Sequence, residues 1–332
     1  MSSQSSISAI RPASAIEGGR ITIEGSGFAV DPLGLPDVRI GGERARVVFA
    51  SPTTISAIVP SLAEAGPVTV RIDGVAGETA FITVAAPIAT GLHQVDNPVF
   101  DRDGNLYVTY SGTRGQEVPV SIFRVRPNGM RETFSSGIVN PTSMAIDSAG
   151  QLYVSSRFEG TVYRVAADGT STAFATDLGI ACGLAFAPDG TLFVGDRSGT
   201  IFKVDRNGRA DQFATLPGSV AAFHLALAPD GVLHVTAPTL SSCDAVYRIE
   251  PGGEVTVGYS GFGRPQGLAF DPSGTLFVVD ALAGLSGLYR LPAGGPPELV
   301  LIGPGLIGVA FDPHGGLVVC SNETAYRLPK PA

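Results

Sequence analysis

Through the first quarter of the chain, apolar and polar residues alternate with a period of two. The runs RITIEGSGF, VRIGGERARVVFA, TTISAIVP, GPVTVRIDG and AFITVA fall within residues 7–85, and each is bounded by Gly, Pro, Asp or Ser. Alternation puts successive side chains on opposite faces of an extended strand, and the bounding residues are those that bend the backbone. The pattern predicts a small β-sandwich over residues 1–85.

From residue 96 a longer period is laid over the alternation. The stretches NPVFDRDGNLYVTY, SMAIDSAGQLYVSS, GLAFAPDGTLFVGD, HLALAPDGVLHVTA, GLAFDPSGTLFVVD and GVAFDPHGGLVVCS align on Gly104, Gly150, Gly190, Gly231, Gly274 and Gly315, with spacings of 46, 40, 41, 43 and 41 residues. Most units add a third run, such as TVYRVAADG, and a fourth, such as RETFSSGI. Four strands in a unit of this length is one propeller blade. No segment keeps helical periodicity. The expectation is an all-β chain in which a six-bladed β-propeller fills residues 86–332.

Unit three shows how a unit is built. In APDGTLFVGDRSGTIFKV, residues 187–204, Leu192 and Val194 alternate with Phe193, so both strand faces pack between blades. Pro188-Asp189-Gly190 reads as a hairpin turn: Pro presets φ, Asp bonds the backbone ahead, and Gly takes the left-handed position. Unit six stops after its third strand, at TAYRLP, while APIATGLHQV (86–95) stands where a fourth strand belongs. That segment is expected to close the ring against unit six and remove two exposed edges. Almost no linker then remains, so the sandwich should touch the propeller.

Composition narrows the function. With 44% apolar and 16% charged residues the chain is globular, and 43 Gly with 25 Pro suit many short strands. The net charge of −8 is spread over both parts without a block of one sign, which argues against nucleic acid as a partner. Cys182, Cys243 and Cys320 are too few and too scattered for a disulfide framework, and read as free thiols. No apolar run is long enough for a spanning helix, so no membrane insertion is expected. The opening MSSQSSISAI lacks the basic and apolar regions of a signal peptide, which leaves both cytoplasmic and extracytoplasmic locations open.

The order Pro12, ITIEGSGF, VRIGG, SPTTISAIVP, GPVTVRI resembles the immunoglobulin-like TIG (IPT) domain, most specifically at the turn Gly25-Ser26-Gly27-Phe28. The repeated (D/A)P(D/S)G.L(Y/F)V core resembles NHL repeats and the SMP-30/gluconolactonase group of six-bladed propellers. The first resemblance implies a spacer, a dimer surface or, as in one transcription-factor branch, a DNA contact, and the acidic balance argues against the last. The second implies Ca2+ or another divalent cation in the central channel and hydrolysis of lactones.

In a propeller the loop before the innermost strand and the loop after the second strand open on one face. Eight residues before the turn glycines stand Asp96, Thr142, Cys182, Phe223, Gln266 and Ile307; six after them stand Tyr110, Ser156, Asp196, Ala237, Asp280 and Ser321. Polar members of these rings, with neighbouring Asn97, Asn140, Arg157, Arg197, His224 and Arg264, are expected to line a pocket holding a small molecule or a protein partner. Arg157 and Arg197 occupy equivalent places in adjacent units, where two guanidinium groups suit a carboxylate or phosphate. The competing role for Asp196 and Asp280 is to tie down their own turns.

The lactonase resemblance implies an acid at the start of unit one, an Asn in unit four and an Asp in unit five. Asp96 fits the first place, whereas the others hold Phe223, beside His224, and Gln266. On that alternative the candidate ligands are Asp96, Asp196, Asp280 and Gln266, with His224 as base. Other motif matches fail on context. GPGLIG (303–308) links two strands without a following helix, DRDGN (101–105) falls on a blade turn, and GYSGFG (258–263) lacks the second glycine of a nucleophile elbow. Asn322-Glu323-Thr324 fits a glycosylation acceptor.

Overall fold

The computed structural model of the protein describes residues 5–30, 34–62, 64–75, 79–93, 97–281 and 286–329, and every regular element among them is a strand. In the N-terminal part, strands Ser6–Arg11, Arg20–Ser26, Thr54–Ile58 and Glu43–Ala50 pair antiparallel in that spatial order. The start of Glu43–Ala50 also pairs with Val38–Ile40, which leads into a second layer with Gly66–Ile72 and Ala80–Val84. Alternate residues of both layers, among them Ile21, Ile23, Ile55, Ile40, Val70 and Ile82, share one buried core. Burying each of these side chains stabilises the fold by about 1.5–3 kcal/mol. At the Gly25-Ser26-Gly27-Phe28 turn the Phe28 ring folds back over residue 25, where an added Cβ would stand 2.4 Å from the ring. The turn therefore requires a residue without a side chain there.

The remainder is a β-propeller. Units one, two, three and four each form a separate four-stranded antiparallel sheet, and unit six forms a fifth with a strand from residues 86–90. The sequence predicts six separate sheets, and unit five accounts for the difference. Its strands Pro265–Phe270, Leu276–Asp280, Gly287–Leu291 and Glu298–Ile302 pair in the usual order. Its outer strand is not an edge, however: Ser14–Ala15 pairs parallel with Leu301–Ile302 on one side and with Thr83–Val84 on the other. Unit five and the sandwich thus share one sheet of twelve strands. The inner strands of successive units pack side by side, and Leu306–Phe311 of unit six packs against Val99–Phe100 of unit one.

Strand Ala86–Thr90 pairs antiparallel with Thr324–Arg327, Ala89 opposite Ala325. A segment from the start of the propeller thereby becomes the outer strand of its last sheet. Within units the turn chemistry is local. In unit three Asp189 Oδ1 accepts the Thr191 N–H at 2.9 Å, and Gly190 has a φ of 87°. Between units the fit is tight. A Cβ added to Gly169, in the hairpin joining the third and fourth strands of unit two, would lie 1.9 Å from the Phe134 carbonyl oxygen in unit one.

Candidate functional site

The loops expected to open on one face do so around a cavity of about 460 Å³. Its polar lining comprises Arg157, Arg197, Arg264, Gln266, Cys182 and Asn322; Ile307 and the segment 220–222 supply apolar wall. Among the described residues no aspartate or glutamate lines it. Three arginines therefore line one cavity with no carboxylate among its described lining residues, on a chain whose net charge is −8. Such a pocket draws anions by its local field, against the sign of the whole molecule.

Two arginines reach the cavity by one route and the third by another. Arg157 and Arg197 directly follow second strands, and their N–H groups bond the carbonyls of Asn140 and Ile180. The equivalent residue in unit five is Ala281, bonded to the Arg264 carbonyl, and it is Arg264, on the opposing loop, that carries the charge. Arg197 is held by donating from Nε to the Ser219 carbonyl (3.2 Å) and from Nη2 to the Val220 carbonyl (3.0 Å). A guanidinium has five donors, so this anchoring leaves others for a ligand. None of the ion pairs among the described residues involves Arg197 or Arg264.

Asp196 and Asp280 do not line this cavity, and their carboxylates are committed elsewhere. Asp196 accepts the Ile180 N–H at 2.7 Å and the Ser198 hydroxyl. Asp280 accepts the N–H groups of Gly263 (3.0 Å) and Arg264 (2.6 Å). Each thus ties the loop before its unit's inner strand, and Asp280 fixes the backbone that presents the Arg264 side chain. Ser156 does the same in unit two, donating to the Val139 carbonyl at 2.6 Å.

The remaining candidates are mostly internal. Asn140 is fully buried and spans unit one's loop: its Nδ2 donates to the carbonyls of Gly112 and Thr113 (both 2.9 Å), and its Oδ1 accepts the Gly115 N–H (2.6 Å). Thr142 donates to the Asn140 carbonyl, and Asn97 to Ser143 Oγ and the Met144 carbonyl. Asn97 and Asn140 join units one and two, Thr142 ties unit two's own loop, and none of the three lines the cavity. Asp96 lies outside the described residues.

His224 is 1% exposed and does not line the cavity. Neither ring nitrogen has a hydrogen-bond partner, and burial pushes its pKa down to about 4. Sealed among inner strands, it cannot act as the candidate base. Phe223 beside it is completely buried, against the positions of Gly183 and Gly195 in unit three.

A divalent cation does not fit the described residues. A hard ion needs several oxygens converging on one point, yet Asp196 and Asp280 are bonded to their loops and Gln266 alone of the described candidate ligands faces the cavity. No three of the described His, Cys, Asp and Glu residues come together as a metal-holding group.

Asn322 is the polar lining residue that the ring positions passed over. It lies seven residues after Gly315, as Arg157 and Arg197 lie seven after their own turn glycines, so the same alignment shifted by one residue finds it.

Residues 5–84 match the family model described as IPT/TIG domain. No curated protein matches the chain. Among solved structures it is similar to an auxiliary nutrient binding protein from Bacteroides thetaiotaomicron, at 13% identity over 98% of this chain and 97% of that one, with a TM-score of 0.56. It is also similar to a gluconolactonase from Xanthomonas campestris (16% identity, 74% and 89% covered, TM-score 0.58) and to virginiamycin B lyase from Staphylococcus aureus (12%, 74% and 99%, TM-score 0.53). At these identities the likeness is one of fold, and propellers of one shape host unrelated chemistries.

Proposed function

We propose that this protein is a binding propeller that holds a small anionic molecule, carrying carboxylate or phosphate groups, at its channel face. The observation that carries the reading is the cavity lined by Arg157, Arg197 and Arg264 with no acid among its described lining residues. Guanidinium forks match the planar, two-oxygen edge of a carboxylate or phosphate. Gln266 and Asn322 add neutral donors and acceptors that can discriminate among such ligands. In this reading the chain has two domains, 1–85 and 86–332. Unit five, counted with the five separate sheets, completes a six-bladed ring of the NHL and SMP-30/gluconolactonase type. A binding role is also what the name of the Bacteroides neighbour states of that protein.

The test is calorimetric titration with succinate, citrate and inorganic phosphate beside uncharged controls of matching size. Arg197→Ala and Arg264→Ala should each weaken the best anion by about 10- to 100-fold, the worth of one charged hydrogen bond of 1.5–3 kcal/mol. Equal binding of charged and neutral compounds, unaffected by both substitutions, would sink the reading. The lactone-hydrolase alternative is separated by adding calcium, magnesium, manganese or zinc to EDTA-treated protein. Binding to the native state at a hundredfold excess over Kd would add about 2.7 kcal/mol of stability. The anion-binding reading expects no ion-selective rise in melting temperature.

A further inference from the structure

A second cavity, of about 930 Å³, opens between units four and five, where unit four departs from an aromatic pair that units one to three share. In unit one the pairing of the third and fourth strands shifts register and bulges Phe134 out of the outer strand; the same shift bulges Phe174 in unit two and Phe213 in unit three. Each of these rings packs against an aromatic residue of its own second strand: Tyr107–Phe134 at 4.9 Å, Tyr153–Phe174 at 5.0 Å and Phe193–Phe213 at 5.2 Å between centroids. The two rings wedge the space beside the blade. In unit four the bulged residue is Gly258, and the second-strand residue is His234, opposite Arg248 as Tyr107 is opposite Arg124. The wedge ring is absent. His234, Arg248, Gly258, Phe270 and Leu276 are left lining an open slot.

Two lining residues carry polar atoms that the fold does not satisfy and that its walls cover, so a ligand reaches them only after the partly exposed Arg248 side chain shifts. His234 Nδ1 and Arg248 Nε are both buried without a hydrogen-bond partner. An unmet buried donor or acceptor is costly, so a ligand that satisfies both gains by it. His234 is 9% exposed, and burial, followed by the charge of Arg248, pushes its pKa down to about 4. At neutral pH its ring is uncharged and one of its nitrogens can accept. Its ring already meets Phe270 edge to face at 5.3 Å. The charges named around the slot leave a net −1: Arg248 pairs with Glu250 at 3.3 Å, and Asp230 stands in the lining. The slot therefore favours a neutral ring over an acid.

We propose that this cleft is a ligand site for a small phenolic compound, whose ring takes the place of the missing phenylalanine wedge and whose hydroxyl donates to His234 Nδ1 and accepts from Arg248 Nε. A phenol offers one donor and one acceptor on the edge of an aromatic ring, matching the two unmet atoms and the aromatic slot beside them. The site is separate from the arginine-lined cavity and shares no lining residue with it.

The experiment is an NMR titration of the whole protein with phenol, following the His234 ring signals, with anisole and cyclohexanol as controls and a parallel thermal-shift measurement. Phenol should bind saturably at millimolar concentration and at least about fivefold more tightly than either control, since anisole cannot donate and cyclohexanol has no aromatic ring. Gly258→Phe should restore the wedge. An added Cβ there stands 2.8 Å from Arg248 Cγ and 3.3 Å from the Val246 carbonyl oxygen, so the base of the Arg248 side chain must shift to admit the ring. That variant, where folded, should lose the phenol response. His234→Phe, which repeats the residue of units three and five at this place, should keep the fold and abolish the preference of phenol over anisole. Arg197→Ala should leave the phenol response intact. Absence of a saturable response in the parent, equal binding of phenol and cyclohexanol, or a folded Gly258→Phe that still responds fully would each overturn the proposal.

Discussion

The two buried histidines make the protein sensitive to acid in a defined window. His224 and His234 both have pKa values pushed down from 6.5 to about 4, in each case chiefly by burial. Between those limits the unfolded chain binds protons that the folded chain does not, so stability falls as pH falls. The contribution of each is complete above pH 6.5, reaches up to about 3 kcal/mol, and is lost as pH approaches 4. Urea unfolding at pH 7, 6 and 5 should show this decline, and His224→Leu should make it shallower; an unchanged slope in that variant would refute the assignment. At this scale the sequence was informative about which residues surround the channel and uninformative about how they are used. Arg157, Arg197, Arg264, Gln266 and Cys182 stand at aligned positions and all line the cavity. Asp196, Asp280 and Asn140 stand at or beside equally promising positions, yet their oxygens are taken by backbone N–H groups of neighbouring loops. Those partners lie 16 to 25 residues away, and only the folded loop conformation decides that a side chain is spent on them.

Strands and turns were far more legible than sites, because the alternation and the turn residues that produce them are local. The hairpins of the second repeat strand need nothing beyond their own residues. The contacts between blades do, and glycine separates the two cases. At Gly231 a Cβ meets nothing nearer than Pro251 Cγ at 3.6 Å, so only its φ of 88° opposes substitution. At Gly169 a φ of 87° is joined by the Phe134 carbonyl oxygen 1.9 Å from the added Cβ. Gly231→Ala should therefore cost about 1–2 kcal/mol. Gly169→Ala should cost at least about 2 kcal/mol more, because the hairpin must withdraw from the neighbouring sheet. Denaturant midpoints of the two variants give the comparison, and equal values would show that the hairpin yields freely. The missed element is Ser14–Ala15, two residues too short for any periodic signal, whose pairing is set by the parts it joins.

At the scale of the whole molecule that short strand unites two cores. Ile302 of unit five is buried in the sandwich core, and Ile16, next to Ser14–Ala15, is buried in the core between units five and six. A junction built from shared sheet and shared core transmits unfolding, so the full chain should give a single calorimetric transition despite its two architectures. Removal of residues 1–85 should lower the melting temperature of the remainder and promote aggregation, since Leu301–Ile302 would become an exposed edge. Two resolved transitions in the full chain would show that the junction does not couple the parts. The ring's closure has a further consequence for synthesis. Ala86–Thr90 leaves the ribosome more than two hundred residues before its partner Thr324–Arg327, immediately behind a sandwich strand that ends at Val84. The nascent chain must carry this strand unpaired while all six repeats are translated, and a stop codon anywhere before residue 324 would release a product that can never shut its ring.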